Sequence, residues 1–401
     1  MHVAVLGAGY AGLGVTRRLE DALPPSVDIT LVNDGPEHVL THEVHRAIRR
    51  PAVADAITVP LAEVLDRATL VTDPVADLDA EAGVVETTAG QTLSYDYGAL
   101  CFGSETAYYG IEGLRDHAHP LKTLDDAAAI REDALATIER GGDLVVGGAG
   151  LSGVQVAGEL AALAREENAA VPEDVSITLV EQLETVAPNF PANFRRAVHD
   201  ALVERGVDVR TETTVERVDD DAVYTDGGAS TDGGDHRDGD DHADGESHAD
   251  DGRLTYDTLV WTGGIAGRAP TEGERPVVRA DLRLTDRTLA LGDAARVVDT
   301  DGEAVPASAS AAIREAKTAA TNLERLVESD DDGFRPRLDR YRFDVPGWLV
   351  SVGDGAVAQL GPTVLTGAAA KAAKTTVGAG YLTTVGAIRQ ARDLAEAELA
   401  E

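Results

Sequence analysis

Sulfur and lysine are scarce in this chain. Its 401 residues hold one cysteine, one methionine and only four lysines, Lys122, Lys317, Lys371 and Lys374. With Cys101 alone no intramolecular disulfide can form, which excludes chemistry that passes electrons through a cysteine pair. Cys101 lies in the apolar run Ala99–Phe102 and reads as a buried, inert thiol. No apolar run approaches the ~20 residues of a membrane span, and no basic start followed by an apolar segment marks a leader. The expectation is a soluble, cytoplasmic body. Positive charge is short as well: 35 Lys and Arg stand against 71 Asp and Glu, a formal net charge of -36. Such a field makes nucleic acid a poor partner. It also repels itself in dilute buffer, whereas at 1 M salt the Debye length falls to about 3 Å. Because the acid is spread along the whole chain, adaptation to concentrated salt is the better reading than docking of one basic partner.

What is present is a core and a repeated pattern. Hydrophobic residues make up 43% of the chain, and its length suits two or three domains. Val3–Leu6 reads as a buried strand, Ala11–Leu23 as a helix stopped by Pro24-Pro25, and Asp28–Val32 as a second strand. The order returns with a strand at Asp143–Val146, a helix at Val154–Glu166 and a strand at Val175–Val180. Two βαβ units a domain's length apart imply an α/β fold with two Rossmann-like dinucleotide-binding domains.

Each unit carries a glycine motif where a phosphate cradle belongs. The first is Gly7-Ala8-Gly9-Tyr10-Ala11-Gly12, between strand and helix. Its glycines permit the tight turn, the close approach of a pyrophosphate and the packing of helix on strand, and the helix start attracts anions. The acidic residue expected after the second strand is replaced by Asn33, which can still bond a ribose hydroxyl. The second motif is Gly148-Ala149-Gly150-Leu151-Ser152-Gly153, and here Glu181 closes the next strand. A carboxylate there accepts both ribose hydroxyls and repels a 2′-phosphate, which favours NAD(H) over NADP(H). Glu159, two turns into the helix, is open between a solvated carboxylate and a functional one. A third element, Leu291-Gly292-Asp293-Ala294, can return an aspartate to a flavin's ribityl and phosphate region.

With these elements in place, the chain resembles the two-dinucleotide-binding flavoproteins, most closely the type II NADH dehydrogenases (single-subunit NADH:quinone oxidoreductases). The likeness covers almost the whole length apart from 226–252. Gly103-Ser104-Glu105-Thr106-Ala107-Tyr108-Tyr109-Gly110-Ile111-Glu112-Gly113 is similar to that family's segment between the two domains, and Leu121-Lys122-Thr123-Leu124-Asp125-Asp126-Ala127 follows it as it does there. Trp261-Thr262-Gly263-Gly264 resembles the return strand, His38 the histidine after the second strand, and Pro306-Ala307-Ser308-Ala309 the segment over the flavin ring. The resemblance implies that NADH passes a hydride to FAD and that electrons go on to a quinone at a membrane, the protein supplying placement and electrostatics. It implies Glu159 as the helix glutamate near the nicotinamide. There are departures: the family's other glutamate in that helix is Gln155 here, its quinone-side glutamine is Ser310, and Phe102 replaces a small or hydroxyl residue. FAD and NADH are thus better supported than the quinone, and a soluble acceptor or a low-turnover redox sensor stands as the alternative. One cysteine excludes the disulfide reductases and sulfide:quinone oxidoreductases of the superfamily.

The expected organisation is a FAD domain in two parts, 1–115 and 266–345, an NAD(H) domain at 116–265, and a C-terminal segment at 346–401. The cofactor-binding set is Gly7, Gly9, Tyr10, Ala11, Gly12, Asn33, His38, Gly103, Gly292, Asp293 and Ala309, with Gly148, Gly150, Leu151, Ser152, Gly153, Glu181 and Gly263; Glu159 and Gln155 are the catalytic pair, and no metal is expected. The Asp/Gly/His-rich stretch 226–252, with His236, His242 and His248, reads as a solvated hairpin tip. The tail, with Lys371, Lys374, Arg389 and Arg392, suits either peripheral contact with the cytoplasmic face of a membrane or packing on the flavin domain or on a second subunit in a homodimer. If the acidity is a salt adaptation, the melting temperature rises steadily from dilute to molar potassium chloride in a thermal scan. A flat or falling curve removes that reading.

Overall fold

The computed structural model describes residues 1–167, 175–226, 252–329 and 336–399. The proposed hairpin tip and its three histidines therefore fall outside the described residues, apart from its two end positions.

The first βαβ unit runs β1 (His2–Leu6), α1 (Tyr10–Ala22), β2 (Asp28–Asn33). Val3, Ala4 and Val5 have no exposed surface, as a parallel strand covered on both faces requires. The sheet is parallel throughout, in the order Thr288–Ala290, Tyr97–Leu100, β1, β2, Thr69–Thr72. Its outermost strand thus comes from nearly 200 residues beyond its neighbour and delivers Gly292-Asp293 to the edge where α1 begins. That strand stops at Ala290, because Gly292 takes φ +63° and starts a 3-10 turn.

The second unit is β3 (Asp143–Gly147), α2 (Leu151–Glu167), β4 (Ser176–Val180), in a parallel sheet ordered Asp208–Arg210, β4, β3, Thr258–Trp261. Two short strands follow Gly252. Arg253–Thr255 pairs antiparallel with Ala222–Thr225, and Thr258–Trp261 joins β3. Between them Asp257 accepts from Asp143 N at 3.0 Å and Arg140 Nη2 at 3.0 Å, which pins the crossing from one sheet to the other.

A short helix, α3 (Arg46–Arg49), wedges between the two units. Arg131 Nη1 donates to the carbonyls of Ile48 and Arg49, at 2.8 and 2.7 Å. Arg49 Nε in turn donates to Glu159 Oε2 on α2 at 2.6 Å, and its Nη1 to Glu166 Oε1 at 2.8 Å. Both Arg49 and Glu159 side chains are 1% exposed, so the pair is held away from water and its desolvation is shared.

The C-terminal segment begins with an antiparallel sheet, Gly347–Val352, Gly355–Leu360 and Thr363–Thr366. Its first turn lies on α2: a Cβ on Gly158 would sit 2.4 Å from Gly353 N. Two helices follow the long helix α4 (Ala309–Ser329) and this sheet: α5 (Gly367–Thr384) and α6 (Ile388–Leu399). α5 packs back on the flavin-side unit, where Lys374 Nζ lies 3.1 Å from the buried Glu43 Oε2. Among the described residues no helix is long and apolar enough to cross a membrane. Removing Arg49 takes from the buried Glu159 the guanidinium bonded to it at 2.6 Å. Arg49→Ala should cost about 3–5 kcal/mol in denaturant unfolding, and Arg49→Met with Glu159→Leu should recover most of it. A cost near zero for the single variant would show the pair to be solvated.

Candidate functional site

The two glycine loops share one geometry. Gly7 and Gly148 adopt φ +102° and +89°. A Cβ on Gly12 would lie 1.7 Å from Gly7 O, and one on Gly153 1.8 Å from Gly148 O. Each helix therefore starts hard against the turn that precedes it, and only glycine fits. Gly9 and Gly150, by contrast, have nothing within 4 Å of where a Cβ would stand. That open space lies at the start of a helix whose first N–H groups have no intrahelical acceptor, and it suits a pyrophosphate. α1 begins at Gly9 without a side-chain cap. Ala11 and Gly12 continue its first turn beneath this opening, as Leu151, Ser152 and Gly153 do for α2.

The residues closing the second strands match as well. Asn33 Oδ1 accepts from Ala8 N at 2.8 Å, and Glu181 Oε2 accepts from Ala149 N at 2.7 Å. Asn33 Nδ2 donates to Gly35 O at 2.8 Å, and Glu181 Oε1 accepts from Leu183 N at 3.0 Å. Asn33, expected to compensate for a missing acid, thus does the same local work as the acid in its counterpart: it ties strand end to glycine loop.

Around the first cradle the structure gathers Gly292, Asp293, Gly103 and the start of α4. A Cβ on Gly292 would be 3.1 Å from Ala11 Cβ and 3.6 Å from Ala312 Cβ, so the Gly-Asp turn touches both helices. Ala309, at the first position of α4, is half-buried on the same side. Gly103 sits at φ +75° with open space in front of it. Next to it Ser104 Oγ donates to Asp293 Oδ2 at 3.3 Å and accepts from Lys122 Nζ at 3.2 Å. Burial lowers the Lys122 pKa below the ordinary lysine range, and Asp293 opposes that shift. Arg275 Nε donates to Asp293 O at 2.7 Å, which fixes the turn from behind.

His38 is buried in this wall. Its Nδ1 lies 2.8 Å from Ala8 O, a pure acceptor, so that nitrogen carries the proton; Nε2 then accepts from the Tyr381 hydroxyl at 2.9 Å. Burial brings the imidazole pKa down to about 4, so it stays neutral. The Tyr10 ring packs edge-on against His38 and Tyr381, with centroids 5.2 and 4.9 Å apart, and its hydroxyl bonds His42 Nδ1. Nearby Glu43 is held well below the usual carboxylate range: burial would raise it, but Lys374 and His42 outweigh that. Tyr381, Glu43 and Lys374 carry no local motif, and their place became readable only from the fold. Cys101 is buried, and its thiol is pushed far above the ordinary range by that burial.

At the second cradle the chain from Trp261 crosses in front of the loop. A Cβ on Gly148 would stand 2.5 Å from Gly263 Cα. Tyr109, 68% exposed and at φ +53°, donates its hydroxyl to Gly263 O at 3.2 Å. Glu159 is buried, and its carboxylate accepts from Arg49 Nε at 2.6 Å. Gln155, one turn nearer the glycine loop on the same helix face, is half-buried.

Glu315 was not singled out by its sequence context. It lies on α4, buried, and Oε2 accepts from Gly292 N at 2.7 Å. Its carboxyl is pushed up to about 7 by burial, against the bond from Gly292, with Asp293 adding to the rise. Between its ordinary 4.5 and about 7 the folded chain keeps a proton that the unfolded chain has released. This group's contribution to stability therefore falls as pH rises through that window and is constant above it. Full ionisation costs on the order of 3 kcal/mol. Glu315→Gln keeps an acceptor for Gly292 and removes the titration, so the variant should outlast the parent chain above neutral pH in denaturant unfolding and match it at the acid end. Equal pH slopes for the two proteins would refute the assignment.

Comparison with known proteins adds the family. A family model described as pyridine nucleotide-disulphide oxidoreductase matches residues 1–316. The type II NADH:quinone oxidoreductase of Staphylococcus aureus (strain NCTC 8325 / PS 47) is 27% identical over 370 residues, covering 84% of this chain and 85% of that one. The solved structure of NDH2 from Plasmodium falciparum in complex with NADH superposes with a TM-score of 0.79 at 15% identity, over 98% of this chain and 97% of that one. The sulfide:quinone oxidoreductase of Aquifex aeolicus gives 0.77 at 17% identity, over 97% and 92%.

Proposed function

The chain belongs to the pyridine nucleotide-disulphide oxidoreductase family, and on that premise we propose that it carries reducing equivalents from NADH through FAD to a quinone. The observation that carries this reading is the pair of glycine cradles, each with an open position at the start of a helix (Gly9 and Gly150), in a chain similar over most of its length to a type II NADH:quinone oxidoreductase. FAD occupies the domain built from 1–115 and 266–345, and NADH the domain 116–265. When bound, the flavin supplies a two-electron centre that a nicotinamide reduces and a quinone reoxidises.

The chain's own residues place and polarise. Gly7, Gly9, Tyr10, Ala11 and Gly12 present the α1 start to the FAD pyrophosphate, and Asn33 and His38 brace that loop through Ala8. Gly292 and Asp293, backed by Arg275 and Glu315, offer a carboxylate to hydroxyl groups. Gly103 and Ala309 line the open space between them, with Lys122 Nζ donating to Ser104 Oγ beside Asp293. Gly148, Gly150, Leu151, Ser152 and Gly153 take the NADH pyrophosphate, and Gly263 bounds that site. Glu181 keeps a negative charge where a 2′-phosphate would fall, with no cation at Gln182 or Leu183. Gln155 and Glu159, one turn apart on α2, are the catalytic pair on the nicotinamide side, with Arg49 holding the Glu159 carboxylate in place. Val377 and Ile388, 64% and 62% exposed on the C-terminal helices with Lys371, Arg389 and Arg392 nearby in sequence, form the face for a membrane surface or a second subunit.

A second reading has one observation in its favour. Ser310, where the resemblance has a glutamine on the quinone side, is bonded by Arg314 Nη1 at 2.6 Å, which makes that position cationic. This suits a soluble, negatively charged acceptor. Stopped-flow absorbance at the flavin maximum separates the two. NADH should bleach the yellow protein, and a soluble quinone should restore the colour quickly. Bleaching without recovery by quinone favours the soluble acceptor, and protein purified without flavin overturns both. Gly153→Ala, which forces a methyl into Gly148 O, should keep its flavin and bleach at least tenfold more slowly (about 1.4 kcal/mol); Gly12→Ala should lose flavin.

A further inference from the structure

Away from both cradles the structure holds a cavity of about 400 Å³; half of the described residues that line it are arginines, Arg279, Arg283, Arg337 and Arg340, and among the described residues only Asp281 adds a carboxylate. Such a concentration is unusual in a chain with 35 cations among 401 residues. The walls are built rather than loose. Asn322 on α4 has no exposed surface; its Nδ2 donates to Asp281 O at 3.0 Å and Asp339 O at 3.1 Å, and its Oδ1 accepts from Asp339 N at 2.7 Å. Tyr341 N adds a bond to Ala280 O at 2.7 Å. Between Asp281 and Arg283, Leu282 is held at φ +63°, a conformation a branched side chain rarely adopts. Asn322 is 13 residues beyond Ala309, about 20 Å along the helix, and the cavity shares no residue with either cradle.

The guanidinium groups are left under-compensated. Among the described residues, Arg279, Arg337 and Arg340 pair with no carboxylate, Arg283 Nη1 reaches Asp286 only at 3.8 Å, and Arg283 Nε is buried without an acceptor. Neighbouring Asp339 is already engaged by Arg325 at 2.7 Å. Four like charges held together by a rigid backbone repel one another, and a multivalent oxyanion relieves that repulsion while filling planar donor forks two at a time. We propose that this cavity is a binding site for a phosphate group, carried either by a small soluble molecule or by a phospholipid headgroup. The acidic exterior keeps polyanions such as nucleic acid away, whereas a single phosphate enters the local positive field.

The test is calorimetry on the full flavin-loaded chain with NAD+ present to fill the nucleotide site. Inorganic phosphate is titrated at constant chloride, and vesicles of phosphatidylglycerol or phosphatidylcholine are pelleted in parallel. The native protein should bind phosphate, and Arg279→Gln combined with Arg340→Gln should bind at least about tenfold more weakly. Arg337→Gln alone serves as an independent variant. All three positions are at the surface, so flavin content and bleaching by NADH should be unchanged. Arginine-dependent pelleting with phosphatidylglycerol identifies the headgroup as the source, and phosphate binding without pelleting identifies a soluble one. If neither probe binds the native protein, or the variants bind as the native chain does, the site does not exist.

Discussion

The constraint on which this fold depends lies between a carbonyl and a glycine. Gly7 O and Gly148 O each press so near the helix that follows that no side-chain atom can stand between them. Given that constraint, the helix starts in the mouth of the turn, its first amides point outward, and an anion can come up against the backbone. The rest of the fold serves these two contacts. A parallel sheet lies behind each, the polar residue at the end of the next strand ties back to the loop, and a returning strand crosses in front. At Gly7 that crossing is Cys101–Phe102, and at Gly148 it is Thr262–Gly263, so the repeat extends past the glycines to the segment that closes over them.

What was legible in the sequence follows from this. The two βαβ units, the glycine loops and the Gly292-Asp293 turn are local: strand, turn and helix succeed one another within some 30 residues, and their chemistry shows in the order of residue types. The break at Tyr256-Asp257 was not legible, because both halves of the apolar run are strand-like and only their partners differ. The Arg49 partner of Glu159 was not legible for a related reason: it lies 110 positions earlier on another element. The His38–Tyr381 contact spans 343 positions and leaves no periodic trace. Glu315 looked like one more acid on an amphipathic helix until Gly292 was placed beside it.

Charge divides the molecule into two regimes. Outside, carboxylates face water with few cations to answer them, and salt screening governs their energy. Inside, the sparse cations are placed one by one: Lys122 by Asp293, Lys374 by Glu43, Arg49 by Glu159. Each sits where a segment distant in sequence must be held to a nucleotide-binding unit. A chain that has given up most of its surface lysine has kept cations where their desolvation is shared with a partner.

The bond from Tyr381 through His38 to Ala8 also sets an order of events during synthesis. The glycine loop, at residues 7–12, leaves the ribosome well before the outer strand of its sheet, which begins at residue 288, and before the hydroxyl that completes its wall, at residue 381. The second nucleotide unit, by contrast, has all four of its parallel strands by residue 261. Vectorial folding thus completes the later unit first and leaves the earlier one waiting for a segment 343 residues downstream of His38. The flavin-side pocket can close only once that segment has been made, and a polypeptide shortened before residue 381 lacks this wall.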